Sequence, residues 1–396
     1  MLGLAALGVA WYLGRKRYID GCRVEVVASD SKTSSIVRQT EHEGVVTLSD
    51  ILHSECPSLT DPQRAYMVPT PYLCTGLLQT IYATMNIRRR DALSDIAYER
   101  EMLIMDDGGT VSLDWYPGIK SPGEEDGPIA FLLSGVGGSS HEYHIRVMVK
   151  ALADCSVGFR VVVFNHRGTA RTPITSARPY DSGFTSDFRH AVSRVRAKNP
   201  KSTLVAVGFS MGANILTKYI GEEKSECPLA CAVTICCPFD IKVSGEAMNA
   251  DNILNNHVFQ PVVMGALKRA LKRAQHLPLD PKWGLDMDRI RSSKRLWELE
   301  DAILVKVNGY RDLNDYYVRS SSSNYVDDIK IPFLAINSLD DRITPPRGIP
   351  REKFQENPNT ALTLVPHGGH LAFLTGVAPR IWFIDPVVEF VTAILK

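Results

Sequence analysis

Thr203-Leu204-Val205-Ala206-Val207-Gly208-Phe209-Ser210-Met211-Gly212-Ala213-Asn214-Ile215-Leu216-Thr217-Lys218-Tyr219-Ile220 decides the fold. An apolar, β-branched run of strand length meets a Gly-x-Ser-x-Gly pentapeptide and continues with helical spacing. A strand that turns sharply into a helix leaves little room for side chains beside the turn residue, which accounts for Gly208 and Gly212. The turn pushes the Ser210 hydroxyl out above the sheet, with a helix N-terminus beneath it. An incidental serine in a Gly-rich strand-to-helix turn is the bland alternative, and the remainder of the chain weighs against it.

A serine hydroxyl is a weak nucleophile at neutral pH and needs a base, which in turn needs an orienting acid. Two further buried-strand patterns follow Ser210. Ile331-Pro332-Phe333-Leu334-Ala335-Ile336-Asn337 leads into Ser338-Leu339-Asp340-Asp341-Arg342-Ile343-Thr344-Pro345, and Ala361-Leu362-Thr363-Leu364-Val365 leads into Pro366-His367-Gly368-Gly369-His370. Each polar group falls in the loop after a strand, where open α/β sheets place their ligand sites. Chain order Ser, Asp, His is that of an α/β-hydrolase. The expected catalytic set is Ser210, Asp341 and His370. Asp340 is adjacent to Asp341 and is expected as a turn or capping residue. His367 is expected as a loop histidine, because the Gly368-Gly369 pair lets His370 fold over towards the serine.

Such chemistry also needs donors for a developing oxyanion. The Met211 amide, next after the serine, is one. The second is expected from Ser134-Gly135-Val136-Gly137-Gly138-Ser139-Ser140, the loop after Ile129–Leu133, with the Val136 amide as donor. That Gly-rich loop lacks the spacing and the lysine of a phosphate-binding loop and does not match Gly-x-Gly-x-x-Gly, so a nucleotide is not expected.

Composition agrees with a folded enzyme: 44% hydrophobic and 22% charged residues in 396. A formal net charge of +1 supplies no overall basic field for nucleic acid. The eight cysteines show no Cys-x-x-Cys pair, so zinc is not expected, and neither is a cofactor. Buried free thiols are the expected state.

Strands at 97–105 and 110–115, joined by Asp106-Asp107-Gly108-Gly109, read as a hairpin. Strands then alternate with helices, which predicts a mostly parallel central sheet with helices on both faces. The expected domains are an N-terminal anchor or interfacial segment over 1–21, a linker and N-terminal arm over 22–95, loosely packed to about 60 and wrapping the core over 57–85, and the catalytic domain over 96–396. Between about 240 and 325 the strand signal stops. There Val262–Arg273 places Lys268, Arg269, Lys272 and Arg273 on one face opposite an apolar one, as an inserted helical cap would. The helix fits either a cap that lines an acyl pocket and touches anionic lipid, or a solvated helix on the core.

Leu2 to Leu13 is apolar, ends in Trp11 and Tyr12, and is followed by Arg15-Lys16-Arg17. Its charge follows the apolar run, the reverse of a secretory signal. About 13 helical residues span roughly 20 Å against a hydrocarbon core of about 30 Å. The segment therefore fits a short anchor, a truncated one, or an interfacial segment, with the aromatic pair at the headgroup boundary.

The chain resembles the membrane-anchored α/β-hydrolase-domain lipid esterases, a family that includes mammalian α/β-hydrolase-domain proteins one to three and the yeast medium-chain ethyl ester synthase/esterases. The matching stretches, in family order, are Cys56-Pro57-Ser58-Leu59, Pro69-Thr70-Pro71-Tyr72, Leu78-Gln79-Thr80-Ile81-Tyr82, Asp106–Gly109, Phe164-Asn165-His166-Arg167-Gly168, Gly208–Gly212, Ser338–Asp341 and Gly368–His370. The chain departs from the family at Leu77, where histidine stands in the family, and at Ser134, where many relatives have proline. The resemblance implies an α/β-hydrolase fold, an N-terminal anchor in the endoplasmic reticulum or another endomembrane, and esters of medium-chain acyl groups, glycerides or phospholipids as substrates. It assigns nucleophile, acid and base to Ser210, Asp341 and His370. A non-catalytic lipid- or steroid-binding protein on the same fold is the competing class.

Overall fold

The computed structural model describes residues 18–30, 36–40, 44–86, 96–119, 127–176, 178–179, 181–273 and 284–396. The expected anchor, Leu2–Leu13 with Arg15–Arg17, lies outside them. Among the described residues no helix is long and apolar enough to cross a membrane.

Six strands form the parallel heart of a nine-stranded sheet: β6 (Ile129–Leu133), β7 (Arg160–Asn165), β8 (Leu204–Phe209), β9 (Leu229–Ile235), β10 (Phe333–Ser338) and β11 (Thr360–Val365). Every residue of β6, β7, β8, β10 and β11 is buried, as near-continuous apolar runs require when helices cover both faces. The order runs β11-β10-β9-β8-β6-β7, so the chain reverses direction across the sheet beside β6. A crevice opens at such a switch point, outside the carboxyl ends of the strands. The antiparallel pair β4 (Glu99–Ile104) and β5 (Thr110–Tyr116) extends the sheet beyond β7.

One face is covered by the helices Tyr143–Asp154 and Ile384–Ile394, which bury Met148, Leu152, Phe390 and Val391. The other is covered by Ser186–Lys198 and Met211–Glu223, which bury Phe188, Val192, Leu216 and Tyr219. Each such side chain taken from water contributes roughly 1.5–3 kcal/mol.

The expectation of a linker and loosely packed arm differs from the structure. β1 (Glu25–Ala28) joins the sheet antiparallel to β11, and the helix Leu48–Glu55 buries Leu48, Ile51 and Leu52 in the main core. That helix carries a capping box, with Thr47 accepting from the Asp50 amide and Asp50 accepting from the Thr47 amide. β1 fills the free edge of β11, which would otherwise leave unpaired N–H and C=O groups.

Between β9 and β10 the chain leaves the sheet as helices, chiefly Ile241–Asn249, Gln260–Arg273 and Leu313–Ser320, with a small apolar cluster of their own around Ile303, Leu304 and Tyr316.

Candidate active site

Ser210 ends β8 at φ 52°, ψ −118° and caps the helix Met211–Glu223. Few non-glycine residues adopt that conformation, which costs on the order of 1–3 kcal/mol and persists because the surroundings overdetermine it. Those surroundings are backbone. A Cβ on Gly212 would sit 2.4 Å from the Leu133 carbonyl oxygen, and one on Gly208 would sit 2.7 Å from the Ala213 Cα. The Ser210 amide donates to the Ile235 carbonyl at 2.9 Å and locks the turn to β9.

The structure brings Ser210, His370 and Asp341 into one hydrogen-bonded chain. His370 Nε2 lies 2.9 Å from Ser210 Oγ, and His370 Nδ1 lies 2.8 Å from Asp341 Oδ2. With the proton on Nδ1 donated to Asp341, Nε2 is left to accept from the serine. Asp341 is buried and also accepts from the Ile343 and Thr344 amides and the Thr344 hydroxyl. Burial alone pushes its carboxyl up. His370 and the Thr344 hydrogen bonds outweigh that and hold it below the usual range, so it is the ionised partner of the imidazole.

Asp340 points elsewhere and has a more specific role than a turn residue. Its Oδ1 accepts from the Gly368 and Gly369 amides at 3.0 and 2.9 Å and from Ser338 Oγ at 2.7 Å, and its Oδ2 accepts from the Gly76 amide at 2.7 Å. It thereby ties the histidine loop to the N-terminal arm. The helix Gly76–Asn86 completes the brace: Thr80 Oγ1 accepts from the His370 amide at 2.8 Å, and Gln79 Oε1 accepts from the Leu374 amide at 2.6 Å. A Cβ on Gly369 (φ +59°) would lie 2.1 Å from the Gly76 carbonyl oxygen, so the loop needs glycine there. Sequence reasoning missed this brace, although Gln79 and Thr80 stand in the matching stretch Leu78–Tyr82. His367 stands 3.5 Å from Asp340, away from the serine.

The loop after β6 turns through Val136 and Gly137 (φ +64°), closed by a hydrogen bond from the Gly138 amide to the Gly135 carbonyl. A Cβ on Gly135 would lie 3.2 Å from the Ser210 Cβ, so glycine lets this backbone approach the serine. Val136 and Met211 line the same chamber as Ser210 and His370. Neither amide is hydrogen-bonded to another described residue.

That chamber has a volume of about 940 Å³ and is walled mainly by apolar side chains, among them Ile81, Met85, Met248, Phe259, Val263 and Leu371. The helix Gln260–Arg273 closes it from above, with Ala266 against Gly137. His144, also on its wall, is pushed down to about 4 by burial and packs on Phe209 as a neutral ring.

Arg167, after β7, is committed to structure: its guanidinium forks onto Asp187 at 2.6 and 2.7 Å and onto Asp107 at 2.6 and 3.0 Å. His166 is pushed down to about 3 by burial, and a hydrogen bond with the Ser134 backbone acts the other way. Among the described residues, Cys236, Asp341 and His370 form the one set with metal-ligand composition, their ligand atoms all within 4.8 Å of one another. His370 and Asp341 are engaged with each other, and burial raises the Cys236 thiol well above its ordinary value. All eight cysteines are free.

A family model described as the alpha/beta hydrolase fold matches residues 131–377. Three curated relatives match most of the chain. Embryogenesis-associated protein EMB8 of Picea glauca is 31% identical, over 82% of this chain and 70% of the relative. Phospholipase ABHD3 of Mus musculus is 30% identical, over 89% and 84%. Medium-chain fatty acid ethyl ester synthase/esterase 2 of Saccharomyces cerevisiae is 28% identical, over 82% and 84%.

Proposed function

The chain belongs to the α/β-hydrolase family, and from that premise we propose that it cleaves carboxylic esters of lipids through an acyl-enzyme on Ser210. One observation carries the reading: Ser210, His370 and Asp341 are linked at 2.9 and 2.8 Å in the wall of a large, mainly apolar chamber. In the proposed mechanism His370 takes the Ser210 proton as the oxygen attacks the ester carbonyl. Asp341, ionised and buried, holds the Nδ1–H tautomer and stabilises the imidazolium that forms. The Met211 and Val136 amides, which have no acceptor among the described residues, stabilise the tetrahedral oxyanion. His370 then protonates the leaving alcohol, and water activated by the same imidazole releases the fatty acid. An alcohol in place of water would give a new ester from the same intermediate.

Lipid specificity is supported by the apolar chamber and by relatives that carry the names phospholipase and fatty acid ethyl ester synthase/esterase. The described helices between 240 and 325 act as the cap of that chamber, and the helix Gly76–Asn86 as the brace of the histidine loop. A membrane surface as the working partner is supported by the apolar run Leu2–Leu13 followed by Arg15–Arg17.

The test is fluorophosphonate labelling of the protein beside Ser210→Ala, followed by triacyl-, monoacyl- and phospholipid esters. Labelling that disappears in the variant, with fatty acid released from one lipid class, is the expected result. A well-folded wild type that takes no label would leave a lipid-binding protein without chemistry.

A further inference from the structure

Behind the chamber that holds Ser210 lies a second cavity of about 570 Å³. Val136, Gly137, Met211, Ala266, Arg269 and Glu300 are among the wall residues the two share, together with Glu142 and Leu296. The partition between them is therefore the loop after β6, the residue after the serine, and the cap. The second cavity therefore adjoins the chamber across residues that flank Ser210.

The second cavity differs in chemistry from the first. Arg146, Arg171 and Arg269 line it, with aliphatic groups such as Ile174 and Leu271 between them. Arg167 also faces it, but its charge is spent on Asp107 and Asp187. Among the described residues, Arg146 Nε is buried with no hydrogen-bond partner, an unfavourable state that an incoming acceptor relieves. Two carboxyl groups, Glu142 and Glu300, share the walls. Glu300 is buried, accepts from Tyr317 Oη at 2.9 Å, and is pushed up to about 7 by that burial, so at neutral pH it carries only part of a negative charge against the arginines.

We propose that the second cavity is a phosphate subsite, in which Arg146, Arg171 and Arg269 hold the phosphodiester of a glycerophospholipid while its acyl chain fills the apolar chamber. This rests on the hydrolase reading above and names the substrate class within it. Guanidinium forks match phosphate oxygens in pairs, and the bonds are stronger than those between neutral groups. A neutral acylglycerol offers these arginines no charge.

The experiment uses the full chain carrying Ser210→Ala, so that binding is read without turnover. Three probes are compared by calorimetry: a short-chain diacylglycerophosphocholine, the diacylglycerol with the same chains, and inorganic phosphate. The phospholipid is expected to bind about tenfold or more tighter than the diacylglycerol, since charge-assisted hydrogen bonds are of that strength. Adding Arg269→Gln or Arg171→Gln, both at exposed positions, shrinks that ratio towards one, and Arg269→Lys restores part of it. Arg146→Gln gives the same result if it folds. In the enzyme with Ser210 intact, the same substitutions lower the ratio of kcat/KM for phospholipid over acylglycerol by about tenfold.

A binding ratio near one, or a ratio that the arginine substitutions leave in place, overturns the subsite. Inorganic phosphate that binds as tightly as the lipid overturns it in favour of a free-anion site. Failure of the hydrolase reading appears separately, as an unlabelled wild type that releases no fatty acid, while the binding ratio still decides the subsite.

Discussion

The loops at the carboxyl ends of β6, β8, β10 and β11 and the helices between β9 and β10 face the same chamber, but different parts of the chain give each its shape. Around Ser210 the geometry is set by backbone against backbone: Gly208 on Ala213, Gly212 on Leu133, Gly369 on Gly76. In the helical segment it is set by side chains, with Ala266, Arg269, Leu296 and Glu300 standing on helix surfaces that line the cavities. The first region tolerates almost no change of size and holds the reacting atoms in one place. The second presents side chains rather than backbone, so on the proposed function it is the region that would discriminate between substrates.

The adjacent aspartates give the largest test of that contrast. Asp341→Asn takes away the charge that orients His370 and is expected to lower kcat by about 10³–10⁴. Asp340→Asn, one residue away, leaves the triad intact and loosens the brace to Gly76, Gly368 and Gly369, for a loss of roughly tenfold by slight misplacement. Rates on one water-soluble ester measure both, and equal losses would mean that the brace and the triad are a single unit. Asp341 has a depressed carboxyl. Its contribution to stability is present above the ordinary carboxylate range and is lost as pH falls through its lower folded-state value.

Glu300 behaves in the opposite sense. Its carboxyl is pushed up to about 7 by burial, so the native state binds a proton that the unfolded state has released. Stability then falls as pH rises from the ordinary Glu value towards 7 and levels off above it. Glu300→Gln keeps an acceptor for Tyr317 and should flatten that slope, with a difference on the order of 3 kcal/mol across the window. Urea unfolding at pH 5, 6, 7 and 8 reads it directly, and parallel slopes for the two proteins would show that the side chain is solvated.

Two glycines sharpen the comparison further. Gly212→Ala drives a Cβ to 2.4 Å from the Leu133 carbonyl, where backbone must move, and should cost about 1–3 kcal/mol. Gly265→Ala, inside the helix Gln260–Arg273, meets at 3.3 Å the flexible end of Arg269. It should stabilise by roughly 0.5–1 kcal/mol through helix propensity. Denaturant midpoints of opposite sign are the expected pair of results.

What was legible in the chain follows the same division. β6, β8, β10 and β11 could be read because strands buried on both faces are continuous apolar runs, and each polar loop residue followed one of them. Chain order fits Asp340 and Asp341 alike, and it is geometry that separates them, with Asp341 on His370 Nδ1 and Asp340 on the Gly368 and Gly369 amides. β1 was hidden because Glu25-Val26-Val27-Ala28 is four residues long and only half covered at the sheet edge. The helix Leu48–Glu55 did announce itself, in Thr47-x-x-Asp50, but among polar neighbours the signal was passed over. The brace from Gly76, Gln79 and Thr80 joins residues about 290 positions apart in sequence, and no periodicity carries that information. Neither does the burial of Glu300, which depends on how the helices of the cap settle.

The pairing of β1 with β11 has a consequence for how the protein is made. Glu25 lies opposite Leu364, so β1 finds its partner only after the about 340 residues between them have been made. At about 5–20 residues per second that interval is on the order of tens of seconds. Through it β1 waits unpaired while the strands between are synthesised, and when β11 arrives it emerges beside β10 with its outer edge open. The final closure of the sheet therefore joins its two most distant segments, and a nascent chain stalled before residue 365 holds a sheet with a free edge, the form most ready to pair with its neighbours.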